Sequence, residues 1–287
     1  MAAGDPGDAR ERPIAVFDSG VGGLTVLHEL LVSLPHEDFV YLGDTARFPY
    51  GDRSAEELRG FAAQIAEHLL AGGAKLLVVA CNAATSAALP ELEERLAGEG
   101  HEVDVVGVVV PESQLAVEAT RNGRIGLLAT PATVATGAYD RAVAAADPHV
   151  SLTSVACPDL APIIQTGLLF DERMVDTVRS YCRPLQEAQV DTVILGCTHY
   201  PLVAALLQRT LGRGVELVSS GEAIPRRVEH ALRVRGLESD RSGEGVYRFL
   251  CTGDVEAFRA LGTRFLQMPL GEVAHVELGK PSREAAA

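Results

Sequence analysis

The chain has 287 residues, 47% of them hydrophobic and 22% charged, and carries a formal net charge of −14. That length builds one large domain or two modest ones, each with its own core. So acidic a surface excludes nucleic-acid and anionic-membrane partners, which are held by clustered Lys and Arg, while a few aimed donors still hold a small anion.

No apolar run reaches the length of a membrane span, and Met1 to Arg12 lack the apolar stretch of a signal peptide, so a cytoplasmic protein is expected. Five cysteines, Cys81, Cys157, Cys182, Cys197 and Cys251, are odd in number and widely spaced. They read as reduced thiols, not as a disulfide framework. Only two lysines, Lys75 and Lys280, stand among 25 basic residues. One leads into an apolar strand and the other sits in a polar tail, so no pyridoxal Schiff base is expected.

Short β-branched runs alternate with longer amphipathic stretches, the pattern of a doubly wound α/β protein. The predicted strands are Ile14–Phe17, Phe39–Leu42, Leu76–Ala80, Val103–Val109, Ile125–Leu128, Leu152–Ala156, Thr192–Leu195, Val215–Val218 and Tyr247–Leu250. After the first, Leu24, Leu27, Leu31 and Leu34 mark one helix face, with Gly22 and Gly23 before it and Pro35 at its end. A second helix is predicted over Ala55–Ala71, stopped at Gly72 and Gly73. The chain also repeats its form. Ile14–Asp18 resembles Ile125–Thr130 at an offset of 111 residues, and Cys81 resembles Cys197 at an offset of 116, each cysteine closing a strand. Two such units facing each other would bring both thiols to one cleft, at the strand ends where parallel sheets bind ligands.

Four segments carry candidate chemistry. Asp18-Ser19-Gly20-Val21-Gly22-Gly23 follows a strand and lets backbone approach a ligand, but it lacks the dinucleotide register, and its aspartate reads equally as a helix cap. Asp44 to Gly51 contains Pro49-Tyr50-Gly51, a rigid turn with exposed N–H groups or a plain connection. Cys81-Asn82-Ala83 leaves a buried strand at a helix start, whose N–H groups favour a carboxylate or a thiolate; a small apolar cap on a core strand is the other reading. In Gly196-Cys197-Thr198-His199-Tyr200-Pro201 an imidazole lies two residues from a thiol, and an imidazolium there would lower the cysteine pKa from about 8.5. A locally bonded histidine remains open, and a zinc site would need further ligand spacing that this chain lacks. Cys157, Cys182 and Cys251 read as packing.

Together with Ala156-Cys157-Pro158 and Thr252-Gly253-Asp254, these segments resemble, in order and over nearly the whole chain, the glutamate racemases of the aspartate/glutamate racemase superfamily. The resemblance implies two pseudo-symmetric doubly wound α/β domains with the active site in the interdomain cleft. The first would be 13–108 completed by 218–280, the second 109–217, with disordered tails at 1–12 and 283–287. It implies interconversion of L- and D-glutamate for peptidoglycan synthesis, with no cofactor and no metal, acting on a small-molecule substrate; a homodimer is left open. Cys81 would take the α-proton of D-glutamate, assisted by Asp18, and Cys197 that of L-glutamate, assisted by His199. Substrate contacts would fall on Ser19, Asp44, Pro49, Tyr50 and Gly51 from the early loops. Asn82, Ala83, Thr130, Thr133, Gln165 and Thr198 would complete them. Racemisation removes a proton from one face of a carbon and returns one to the other, which calls for two groups on opposite walls, each tuned as both acid and base.

Two positions depart from the family pattern. Ala83 stands where a hydroxyl residue is common, leaving only a backbone donor. Gln165 stands in Pro162-Ile163-Ile164-Gln165-Thr166-Gly167 where the family has glutamate supporting the histidine. Gln165 still orients an imidazole but does not offset its positive charge. A superfamily racemase for aspartate or a hydantoin, and a catalytically impaired ligand-binding or regulatory homologue, are the competing readings.

Overall fold

The apolar runs become ten strands in the computed structural model, which describes residues 8–167 and 171–279. In chain order they are β1 (Ile14–Asp18), β2 (Phe39–Gly43), β3 (Leu76–Val79), β4 (Asp104–Gly107), β5 (Arg124–Ala129), β6 (Ser151–Ala156), β7 (Thr192–Gly196), β8 (Glu216–Val218), β9 (Tyr247–Cys251) and β10 (Val273–His275). The helices are α1 (Leu24–Ser33), α2 (Ala55–Ala71), α3 (Asn82–Gly98), α4 (Val109–Ala119), α5 (Pro131–Ala135) and α6 (Ala138–Ala146). They continue with α7 (Leu160–Gln165), α8 (Glu172–Glu187), α9 (Ala204–Leu211), α10 (Ser220–Arg235) and α11 (Val255–Leu266).

The strands form two fully parallel sheets, one ordered β10-β9-β2-β1-β3-β4 and the other β6-β5-β7-β8. The run β2-β1-β3-β4 has the same order as β6-β5-β7-β8, so the predicted repeat is a repeat of sheet topology and the two-unit doubly wound architecture is present. Alternation along each strand explains why both faces are covered. Ile14 and Val16 pack with α1, α10 and α11, whereas Ala15 and Phe17 pack with α2 and α3. In the second sheet Val193 and Leu195 face α8 and α9, and Ile125, Leu127 and Ile194 face α4 and α6. The helix predicted over Ala55–Ala71 has those bounds, begun by a capping box in which Ser54 Oγ accepts from the Glu57 N–H and Glu57 accepts from the Ser54 N–H.

Three expectations change. The strand predicted over Val103–Val109 ends at Gly107, because Val108 turns the chain into α4. β10 was not anticipated; it is three residues long, with one buried, and has no apolar run to announce it. Within the tail expected over 1–12, Ala9–Glu11 form a 3-10 turn instead, and the Arg10 carbonyl accepts from Lys75 Nζ at 2.5 Å. Lys75 also pairs with Glu37 at 2.5 Å, at the end of the sheet opposite the strand carboxyl ends. The C-terminal tail expected over 283–287, and Lys280, lie outside the described residues. Among the described residues no helix is long and apolar enough to cross a membrane.

Candidate active site

Pairing of Asp18 with Gly43, Phe17 with Val79, and Ala129 with Ala156 and Gly196 levels the carboxyl ends of the strands in each sheet. The loops that follow meet in a pocket of about 450 Å³ between the sheets. Ser19, the Pro49-Tyr50-Gly51 turn and Cys81-Asn82-Ala83 line it from the first sheet; Thr130 and Cys197-Thr198-His199 line it from the second. The two thiols, 116 residues apart in sequence, therefore open onto one cavity.

Close approach of the halves depends on missing side chains. A Cβ on Gly22 would lie 2.3 Å from Thr198 Oγ1 and 2.5 Å from His199 Nδ1, and one on Gly51 would touch Thr130 at 3.0 Å. Hydrogen bonds also cross the cleft: Thr198 Oγ1 donates to Asp18 Oδ2 at 3.2 Å, and the Ala132 N–H donates to the Gly51 carbonyl at 2.9 Å.

Cys81 caps α3 and is buried. Burial, and then the nearby Asp18 carboxylate, push its thiol up to about 12, against the pull of N–H groups at Ala84 and Ser19 and of the Ser19 hydroxyl. Asp18 is fully buried, which raises its own pKa although Gly20, Gly23, Thr198 and Ser19 donate to it. Cys197 is likewise raised by burial, with the His199 N–H pulling the other way. Its Sγ lies 3.9 Å from His199 Nδ1. His199 Nε2 meets Gln165 Oε1 at 2.8 Å, so the ring donates there and turns the Nδ1 lone pair to the thiol. Burial lowers the His199 pKa to about 4. The imidazolium expected to acidify Cys197 is thus absent at neutral pH: the ring is a neutral acceptor, wedged between Phe48 and Phe265 with ring centroids at 5.5 and 5.2 Å.

Four anticipated residues do not line the cavity. Asp18 lies beneath it, Thr133 bonds Thr130 Oγ1 at 3.0 Å, and Gln165 stands behind His199. Asp44 is a buried hub that accepts from the Tyr50 hydroxyl, from Arg47 Nε at 2.5 Å and from Thr252 Oγ1 at 2.7 Å, fixing the turn that carries Tyr50. Phe48, Pro158 and Pro162 line the pocket and were missed, although Phe48-Pro49 and Cys157-Pro158 lay inside motifs already singled out. Cys157 and Cys182 are buried with thiols raised to about 12 and remain packing residues.

Residues 26–228 match the family model for Asp/Glu/hydantoin racemases. The chain is 46% identical to the glutamate racemase of Acidothermus cellulolyticus over 92% of its own length and 98% of that protein's. Its fold superposes on a glutamate racemase isoform of Bacillus anthracis with a TM-score of 0.88 at 36% identity, covering 94% of this chain and 98% of the other. The glutamate racemase of Francisella tularensis, solved with D-glutamate, gives a TM-score of 0.87 at 30% identity with the same coverage. The chain belongs to the Asp/Glu/hydantoin racemase family. Within that family its similarity runs to the glutamate racemases.

Proposed function

We propose that this protein interconverts L- and D-glutamate by taking the α-proton off one face of the α-carbon with one thiol and returning a proton to the opposite face from the other, with neither pyridoxal phosphate nor metal. The observation that carries the reading is that Cys81 and Cys197 line the same pocket from different sheets. Cys81, with Asp18 beside it, takes the proton of D-glutamate; Cys197, with His199 as acceptor, takes that of L-glutamate. In each direction the opposite thiol returns a proton. Burial keeps both thiols protonated, so the base must form in the complex. The substrate ammonium supplies a positive charge that lowers the thiol pKa and the α-carbon pKa together. Asn82 Oδ1 has no hydrogen-bond partner in the protein and suits that ammonium. N–H groups at the start of α3 and the hydroxyls of Thr130 and Thr198 suit the α-carboxylate, where charge develops. The backbone N–H groups of Tyr50 and Gly51 suit the side-chain carboxylate.

Sheet membership supports one unit of 13–108 completed by β9 and β10, and a second that begins at 109 and runs through Val218, which pairs with Ile194 in the second sheet and so moves the expected boundary at 217 by one residue. On this reading the enzyme acts in the cytoplasm, supplies D-glutamate for peptidoglycan and uses no macromolecular partner for turnover. A homodimer is the assembly to test, by light scattering. Circular dichroism of glutamate with the wild type, Cys81→Ala and Cys197→Ala tests the mechanism. Each variant is expected to lose racemisation, and full turnover by either would refute the two-thiol assignment. Ala83 and the neutral His199 favour one other reading, a glutamate-binding protein without turnover. Binding with no solvent-deuterium incorporation at the α-position would establish that instead.

A further inference from the structure

A buried carboxyl beside the site has no part in the mechanism. Glu112 lies in α4 with no exposed surface. It accepts from Asn82 Nδ2 at 3.1 Å, from the Tyr139 hydroxyl, and from the Ser220 backbone and side chain. Asn82 Nδ2 also donates to the Tyr139 oxygen at 2.7 Å. Four helices meet at this point. α3 brings Asn82 from beside Cys81, α6 brings Tyr139 from the second unit, and α4 and α10 are the two connections between the sheets.

A carboxyl in such a place is costly. Burial pushes its pKa up to about 8 in spite of the donors around it. What Glu112 secures is the direction of an amide. Both Nδ2 protons of Asn82 have acceptors on Glu112 and Tyr139, which leaves Oδ1 as the unpartnered end of a side chain that lines the pocket. Rotating the amide by half a turn would set Oδ1 against the Tyr139 oxygen, whose proton already goes to Glu112, and present a donor to the substrate. A zwitterionic amino acid has a single donor group, its ammonium, and two carboxylates that only accept. Which end of the Asn82 amide is left without a partner in the protein therefore decides how the substrate is seated.

We propose that Glu112, with Tyr139, is a positioning residue of the racemase site, holding the Asn82 amide with Oδ1 toward the substrate ammonium and tying that orientation to both interdomain connections. The proposal rests on the glutamate-racemase reading, and racemisation by the wild type is the reference arm; its absence would overturn both.

The test is a cycle of Glu112→Gln, Asn82→Ala and the double variant, with kcat and KM for both enantiomers and thermal melting for each protein. Glutamine keeps the size of Glu112 but brings its own N–H₂ into a ring of donors, so the Asn82 amide loses its preference. Glu112→Gln is expected to lower kcat/KM about tenfold, chiefly through KM, and to change it less than about twofold when Asn82 is already alanine. Unchanged kcat/KM would overturn the proposal, as would an equal loss in both backgrounds, which is the mark of a purely structural role. If Glu112→Gln does not fold, Tyr139→Phe removes one acceptor of the same amide, and the same cycle is read with it.

Discussion

Gln165→Glu probes the charge on the histidine. In the native site the amide Oε1 holds His199 Nε2 at 2.8 Å without offsetting charge, and burial lowers the ring pKa from the ordinary 6.5 to about 4. At about 1.4 kcal/mol per pH unit, holding the imidazolium there costs roughly 3 kcal/mol. A carboxylate with its charge about 4 Å from the ring attracts the imidazolium by about 4 kcal/mol at an effective dielectric constant of about 20. Desolvating that carboxylate takes back part of this, leaving a net gain of about 2 kcal/mol. The ring pKa then rises by one to two pH units. His199 must be neutral to accept the Cys197 proton, so activity is lost as pH falls through its pKa. The acid limb of kcat/KM for L-glutamate should move from near pH 4 toward pH 6, while kcat above the limb rises about tenfold because the imidazolium formed on proton transfer is cheaper. Initial rates by circular dichroism from pH 3.5 to 9 read both effects. An unmoved limb with an unchanged plateau would refute the argument that charge at residue 165 controls this histidine.

Gly22→Ala should force the halves apart, since its Cβ would sit 2.3 Å from Thr198 Oγ1. A lowered Tm and a fall in kcat/KM of about a hundredfold are expected, and wild-type kinetics would show that the close approach is not needed. Thr252→Val removes the 2.7 Å bond to Asp44 and leaves a buried acceptor short of a donor, costing about 1–3 kcal/mol of stability in a urea melt and raising KM. Glu112 has a folded pKa of about 8 against an ordinary 4.5. The folded state binds the extra proton in that window, so this group's contribution is fully present below pH 4.5 and is lost as pH rises through 8. The fall in Tm between pH 5 and pH 8 should therefore shrink in Glu112→Gln; an identical fall would show that Glu112 titrates normally.

Strand placement was legible wherever a run was buried on both faces, because parallel strands covered by helices are apolar throughout, as Ile14–Asp18 and Thr192–Gly196 are. β10 escaped because it is short and half open to solvent, and its place is set by its partner β9 and not by its own pattern. Cys81, Cys197 and His199 could be found because each stands in a polar turn immediately after such a strand. The charge state of His199 could not, since its burial comes from Phe48 and Phe265, far away in the chain. Glu112 was invisible for a related reason. In sequence it is an ordinary glutamate near the start of a helix, and only the convergence of four helices makes it an interior group.

β9 joins the first sheet beside β2, about two hundred residues after it in the chain, and Thr252 at its end reaches Asp44. All four strands of the second sheet lie between Arg124 and Val218, so a nascent chain can complete that sheet while the flank of β2 is still bare. Until β9 leaves the ribosome, Phe39 and Tyr41 lie along an open edge prone to mispairing, and the turn bearing Tyr50 lacks its anchor. Catalytic competence waits on β9 and on the Thr252 anchor behind it.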